Sequence, residues 1–355
     1  PPRPGQLSAA ARMLCTMRAL RFHGPDDLRL ESVEMRPPKP GEVVVDVEAC
    51  GVCGSDLHFL DGSARTGIIP VTLGHEISGR VRESTDAALQ PGDGVVAQAG
   101  LYCGTCDRCL EDRPTLCRSL QMTGIDFDGG LADAVVFPAD ALLPRPPGVA
   151  AEIAATAVDA GATAYHAVTR RGSVTLGDAV AIVGVGGLGT FGVQIAKKMG
   201  AAPVIAVDAD PAALQRAEAM GADEVIVAGE GSVGRAVKLL TDGGVDVAIE
   251  FVGQASTLDA AVKSLRPGGR AVAVGVGMEP LATLPPVLWA TQEYELRGAF
   301  GSLPGDAKVV LGWLDAGDIA PPPIETVPLA TAAEAIMAVA RGERRPAGRI
   351  IVVPD

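Results

Sequence analysis

The sequence predicts an α/β protein in which a barrel-like β domain is interrupted by a doubly wound parallel-sheet domain and then resumed. Three observations predict it. The first 150 residues are short alternating runs bounded by Pro and Gly, residues 179–274 repeat strand, helix and strand, and a glycine-rich turn opens that repeat. At 355 residues the chain exceeds the size at which one core stops growing, and its 48% apolar content can fill two.

Residues 1–16 contain Pro1, Pro2, Pro4, Arg3 and Arg12 but no acid, so they are read as a flexible leader, with Met13 or Met17 as the true start. Strands follow at 18–22, 28–31, 43–47, 77–81 and 94–97. Directly after the third comes Cys53-Gly54-Ser55-Asp56-Leu57-His58, and then Gly74-His75-Glu76. A thiol, a hydroxyl, two carboxylates and two imidazoles within 24 positions form the donor set of a soft divalent metal with attached acid/base groups. We read a catalytic zinc here.

Of seven cysteines, four stand as Cys103-x2-Cys106-x2-Cys109-x7-Cys117. Four thiolates close a tetrahedral shell, so this is read as a second, structural zinc that ties a loop and does no chemistry. Cys15 and Cys50 are left as free thiols. Residues 152–171 read as an Ala-rich helix in which Asp159 stands alone, and a carboxylate in such apolar surroundings calls for a cation partner, a metal among the candidates.

The apolar run 179–183 predicts a strand buried on both faces, and Gly184-Val185-Gly186-Gly187-Leu188-Gly189 follows it and precedes a helix. Glycines there let the backbone approach a pyrophosphate at a helix N-terminus. The next strand, 204–207, ends at Asp208, 19 positions past Gly189. An acid at that point accepts from both ribose hydroxyls and repels a 2′-phosphate, and residues 209–213 contain no Arg or Lys, so NAD is expected over NADP. Helices at 212–220, 232–240 and 256–265 alternate with strands at 224–227, 245–250 and 270–274. After residue 300 the pattern is mixed, with a helix at 331–340 and a last strand at 348–353.

A net charge of −13 and a sequence pI near 4.8 argue against nucleic acid and anionic membranes as partners. No run reaches 18 apolar residues and the N-terminal stretch lacks a secretory core, so a cytoplasmic location is expected.

Taken together, these motifs, in this order, resemble the zinc-dependent alcohol dehydrogenases of the medium-chain dehydrogenase/reductase family. The resemblance implies a GroES-like β-barrel catalytic domain over 17–160 plus 299–355, with a zinc lobe at 100–118, around a Rossmann NAD-binding domain over 161–298. By the same resemblance Cys53, His75 and Asp159 are the catalytic zinc ligands, Asp159 replacing the commoner Cys. Asp56 orients His75, Glu76 can approach the metal, and Ser55 and His58 form a proton relay through the nicotinamide ribose. Thr163 packs against the nicotinamide, Arg349 contacts the pyrophosphate, and Val274 joins Gly184, Gly186, Gly187, Leu188, Gly189 and Asp208 among the cofactor contacts. Two zincs per chain, NAD, an alcohol or carbonyl substrate and a homodimer or homotetramer are implied.

Ala97, Gln98 and Ala99 are small where some relatives place an aromatic wall, which suggests room for a secondary or branched carbinol. Polyols and diols remain open. A zinc-free reductase would lack Cys53, His75 and the four-cysteine lobe, and a non-catalytic NAD-binding protein would have no use for Ser55 and His58.

Overall fold

Alternation along the first part of the chain becomes pleated sheet. In the computed structural model, which describes residues 16–355 apart from 230, 282, 283 and 347, β1 (Thr16–Gly24) and β2 (Asp27–Glu34) pair antiparallel. Most of the expected leader, with Met13 and Cys15, lies outside the described residues, but Thr16 already belongs to β1. β3 (Glu42–Gly51) leads into the short helix α1 (Gly54–Leu60), β4 (Val71–Thr72) adds to β1, and β5 (Glu76–Ser84) and β6 (Gly94–Ala97) extend the sheet from β3. Between β7 (Gly100–Leu101) and β8 (Gln121–Met122) lies a loop with one α-helical turn, α2 (Asp107–Leu110), and one 3-10 turn (Pro114–Leu116). β9 (Ala134–Pro138) then pairs with β3, and β10 (Leu142–Pro144) with β6. Val43, Val45 and Val47 alternate into one core with Leu20, Phe22, Ile77 and Phe137. Each such fully buried side chain contributes roughly 1.5–3 kcal/mol, enough for a few to hold this sheet's register.

The Ala-rich stretch forms a continuous but uneven helix. α3 (Ala151–Thr156) passes into a π-helical turn (Ala157–Gly161), then α4 (Ala162–Tyr165) and a second π stretch (His166–Arg171). Asp159 sits in the first π turn, where the widened helix re-aims a side chain.

The strand and helix series builds one parallel sheet. Its members are β11 (Val180–Val183), α5 (Gly187–Lys198), β12 (Val204–Asp208), α6 (Pro211–Ala219), β13 (Glu224–Val227), α7 (Val233–Leu240), β14 (Val245–Glu250), α8 (Ala255–Lys263), β15 (Leu265–Ala273), α9 (Pro286–Gln292) and β16 (Glu295–Gly298). The order β13-β12-β11-β14-β15-β16 reverses direction between β11 and β14, and the glycine turn leaves β11 at that switch point. All four residues of β11 are buried, as its unbroken apolar run requires. Two details depart from the sequence reading. Leu265 opens β15 rather than ending α8, and α9 and β16 were not anticipated. β16 is an edge strand reading Glu-Leu-Arg-Gly, whose one large apolar residue, Leu296, is itself exposed, so no alternation marks it.

After α10 (Asp306–Asp315) the chain returns through β17 (Ile324–Pro328) and α11 (Leu329–Ala340) to β18 (Arg349–Val353). β18 runs parallel to β17 and antiparallel to β3, with Ile351 opposite Gly51 and Val352 opposite Cys50. The last strand thereby brings Arg349 to the segment that carries Cys53. Among the described residues, no helix is long and apolar enough to cross a membrane.

Candidate active site

Three segments far apart in sequence deliver their donors to one point. Cys53 is the N-cap of α1, and its backbone N–H donates to Asp56 Oδ2 at 2.8 Å, which fixes the thiol at the end of β3. His75 stands between β4 and β5 behind Gly74, whose φ of +94° suits glycine and whose Cβ would crowd Cys50 Sγ and Leu131. Asp159 comes from the π turn. Its Oδ2 lies 3.4 Å from Cys53 Sγ and 3.5 Å from His75 Nε2. A tetrahedral zinc with Zn–S near ~2.3 Å and Zn–N/O near ~2.0 Å spaces its ligands about 3.3–3.5 Å apart, so these donors fit the ion.

Glu76 belongs to the same group, all four donor atoms lying within 4.8 Å of one another. It faces Gly51 across the β3–β5 pair, and a Cβ there would overlap its Oε2. Arg349 Nε donates to that oxygen at 2.9 Å and Nη2 to Oε1.

His75 Nδ1 points away from the cluster and lies 3.9 Å from Asp56 Oδ1. Both atoms are buried without a hydrogen-bond partner. The distance is too long for a hydrogen bond, and the carboxylate faces the imidazole through space. Thr163 Oγ1 donates to Asp159 Oδ1 at 3.2 Å.

Burial would push the Asp159 carboxyl up, but His75 and Arg349 outweigh it and hold the group below the usual carboxylate range. Burial would lower the His75 pKa, yet Asp56, Asp159 and Cys53 together raise it well above the ordinary imidazole value. Burial raises the Glu76 carboxyl to about 7 against the pull of Arg349. This concentration of negative charge is what a divalent cation would neutralise.

The four lobe cysteines also converge. Their sulfurs are 3.5 Å (Cys117–Cys103), 3.6 Å (Cys106–Cys109) and 3.9 Å (Cys103–Cys109 and Cys106–Cys117) apart. The edge of a zinc–thiolate tetrahedron is about 3.8 Å for Zn–S of ~2.3 Å. Backbone N–H groups of Thr105 and Cys106 draw the Cys103 thiol down to about 6, toward the thiolate that a metal binds.

A cleft of about 560 Å³ runs from Cys53 and Gly54 to Val185, Gly186 and Gly187, with Arg349 along its side. Gly186 is the N-cap of α5 with no side-chain cap, and no atom lies within 4 Å of where its Cβ would stand, so the first-turn N–H groups are left for a ligand. A Cβ on Gly187 would overlap the Arg349 guanidinium, and one on Gly189 would overlap the Gly184 carbonyl. Leu188 follows in the first turn of α5. Asp208 ends β12, with Oδ2 accepting from Val185 N at 2.7 Å and Oδ1 from Asp210 N at 2.9 Å; Asp210, not Asp208, caps α6. Val274 follows the end of β15 and is buried.

Ser55 and His58 share α1 without bonding to each other; His58 Nδ1 lies 3.0 Å from Ser63 Oγ. The sequence reading missed Arg216, which lines the cleft one helical turn beyond Ala212 on α6. Its helical spacing from Ala212 was the available signal. Of the three small residues Ala97, Gln98 and Ala99, Ala99 lines a narrow cavity that touches Asp159 and Phe300, whereas Ala97 is in the barrel core.

Comparison with known proteins decides the family. Residues 39–147 match the alcohol dehydrogenase GroES-like domain and residues 187–316 the zinc-binding dehydrogenase family. Sorbitol dehydrogenase of Ovis aries is 33% identical over 290 residues, covering 79% of this chain and 81% of the relative. The chain belongs to the zinc-dependent alcohol dehydrogenases of the medium-chain dehydrogenase/reductase family. This dehydrogenase superposes on the alcohol dehydrogenase TADH from Thermus sp. ATN1 with a TM-score of 0.86 and 31% identity over 96% of this chain and 100% of the other. A zinc-binding dehydrogenase from Sinorhizobium meliloti bound to NADP gives 0.86 and 29% over the same shares.

Proposed function

We propose that this dehydrogenase transfers hydride between a secondary or branched alcohol and NAD, reversibly giving a ketone or aldehyde. The observation that carries the reading is the convergence of Cys53, His75 and Asp159 at one end of a cleft whose other end is the uncapped glycine turn. Zinc at the first point, when bound, supplies Lewis-acid polarisation of the substrate oxygen, and the nicotinamide supplies the hydride acceptor.

The chain's own residues divide the remaining work. Cys53, His75 and Asp159 hold the metal, Asp56 keeps Nε2 of His75 turned toward it, and Thr163 steadies Asp159. Ser55 takes the substrate hydroxyl proton, and His58, partly exposed, passes it toward solvent. Gly186 and Gly187 admit the pyrophosphate and Arg349 lies beside it. Asp208 favours NAD by accepting from ribose hydroxyls, although Arg216 offers a cation on the next helix, and the Sinorhizobium relative holds NADP. The four-cysteine lobe holds the second zinc. The catalytic domain spans 17–160 with 299–355 and the cofactor domain 161–298. The enzyme is cytoplasmic and assembles as a homodimer or homotetramer.

A polyol or diol is the second reading, supported by the likeness to sorbitol dehydrogenase. Reduction of NAD and NADP with matched primary, secondary and polyol substrates tests both. Bound NAD with no turnover on any alcohol would overturn the enzymatic reading, and a tenfold preference for ethanol over 2-butanol, about 1.4 kcal/mol, would overturn the secondary-alcohol assignment.

A further inference from the structure

A large cavity beside the metal and cofactor residues is left unused by them. About 670 Å³ of open space lies between the cysteine lobe, the second π stretch and the segment that follows β16. It adjoins the active site, because Thr115 and Phe300 line both this space and the narrow cavity touching Asp159. Arg113, Arg170 and Arg171 all border it, in a chain whose net charge is −13. Gathering arginines in one cleft opposes both the overall composition and their mutual repulsion. A concave, low-dielectric wall focuses their field on whatever enters.

The guanidinium groups have capacity to spare. Arg170 uses Nε and Nη2 on Oδ1 of the buried Asp306, at 2.9 and 2.8 Å, and Arg171 uses Nε on the Gly298 carbonyl at 2.7 Å. The Arg113 side chain is exposed and has no hydrogen-bond or ion-pair partner among the described residues. His166 also borders the cleft with its ring buried. Its Nδ1 has no hydrogen-bond partner, although Asp306 Oδ2 lies 3.4 Å away. The opposing acids are Asp112 on the rim and Asp306, which is engaged by Arg170 and by Leu303 N at 2.8 Å.

We propose that this cleft is an anion subsite of the substrate channel, so that the preferred alcohol carries a carboxylate or phosphate several bonds from its carbinol carbon. The assignment rests on the dehydrogenase reading of the Cys53, His75 and Asp159 centre and narrows its substrate class. Arginine forks match the planar oxygens of either anion, and donors left unspent by protein partners are the ones available to a ligand.

Two measurements test it. The first compares kcat/KM for 2-pentanol with 4-hydroxypentanoate, and for 1,2-propanediol with its 1-phosphate. The expected result is a preference of about tenfold or more for one anionic member, expressed in KM, as one charge-assisted hydrogen bond supplies. Arg113→Gln and Arg171→Gln each reduce that ratio, and the two pairs tell carboxylate from phosphate. Equal or lower kcat/KM for both anionic members overturns the subsite. The second measurement is calorimetric titration of succinate and inorganic phosphate into the enzyme with NADH present, which needs no turnover. Saturable binding that Arg113→Gln abolishes supports the subsite even where no alcohol is oxidised, a combination that sinks only the dehydrogenase reading. No binding, or binding indifferent to both substitutions, overturns it.

Discussion

Arg349, in the last strand, grips Glu76 in the candidate metal cluster with Nε–Oε2 at 2.9 Å and a second bond from Nη2 to Oε1, while its guanidinium lies against Gly187 of the glycine turn. One side chain therefore touches both the cluster that would hold the catalytic metal and the turn that would hold the cofactor. Its side chain is 7% exposed and that of Glu76 is fully buried. Removing one partner of such a pair strands the other. Arg349→Ala should cost about 3–5 kcal/mol in urea denaturation, and the Glu76→Gln, Arg349→Met double variant should recover much of it. A single-variant loss below about 1 kcal/mol would show that the pair is solvated and not coupled to the fold.

Metal stoichiometry follows the two donor groups. Protein purified without added zinc should carry about two zincs per chain, and Asp159→Ala about one, with loss of alcohol oxidation. Asp159→Cys should restore the second ion, since a thiolate preserves the donor charge. Unchanged metal content in Asp159→Ala would remove Asp159 from the ligand set.

The pH dependence of the metal-free protein has a definite sign. His75 is raised in the fold, so its contribution is complete below the ordinary imidazole pKa and is lost as pH rises through the folded value. Asp159 is depressed, so its contribution is present above the ordinary carboxylate pKa and is lost as pH falls through the folded value. Glu76, raised to about 7, contributes fully below the ordinary carboxylate pKa and loses that contribution as pH rises toward 7. The metal-free enzyme should therefore be most stable in mildly acidic solution, with zinc reducing the decline at higher pH because the ion replaces the His75 proton. Thermal melts across pH, with and without zinc, provide the check; identical profiles would contradict it.

Asp56→Asn replaces the acid behind His75 by an amide of the same shape. Zinc affinity at the catalytic centre should weaken about 10–100-fold, measured by chelator competition, while the four-cysteine lobe keeps its ion. An unaltered competition curve would leave Asp56 as a cap of α1 alone, through its 2.8 Å bond to Cys53 N.

Asp208→Ser removes the carboxylate at the end of β12 that the proposed function sets against the ribose. The NAD to NADP ratio of kcat/KM should fall by about tenfold or more, or at least 1.4 kcal/mol. Because Asp208 also accepts from Val185 N at 2.7 Å, the melting temperature of the variant is measured alongside. A ratio that does not move would shift cofactor choice elsewhere, with Arg216 the first residue to examine.

The sequence by itself determined the elements whose signal is local. The buried run of β11, the glycine turn after it, Asp208 at the end of β12 and the four-cysteine spacing are each legible because neighbouring residues create the property. The likeness of the ordered motifs to one dehydrogenase family supplied the expected ligand set, including Asp159. Tertiary structure decided what depends on residues far apart in the chain. The antiparallel pairing of β18 with β3 brings Arg349 to Glu76, 273 positions away, and a π turn presents Asp159 to Cys53 across 106 positions. β16 and the arginine-lined cleft were also invisible, since an edge strand with one exposed apolar residue carries no period and a cleft exists only where three segments meet. Local propensity reads a turn or a strand, but the positions of charges in space follow from packing, which no window of sequence contains.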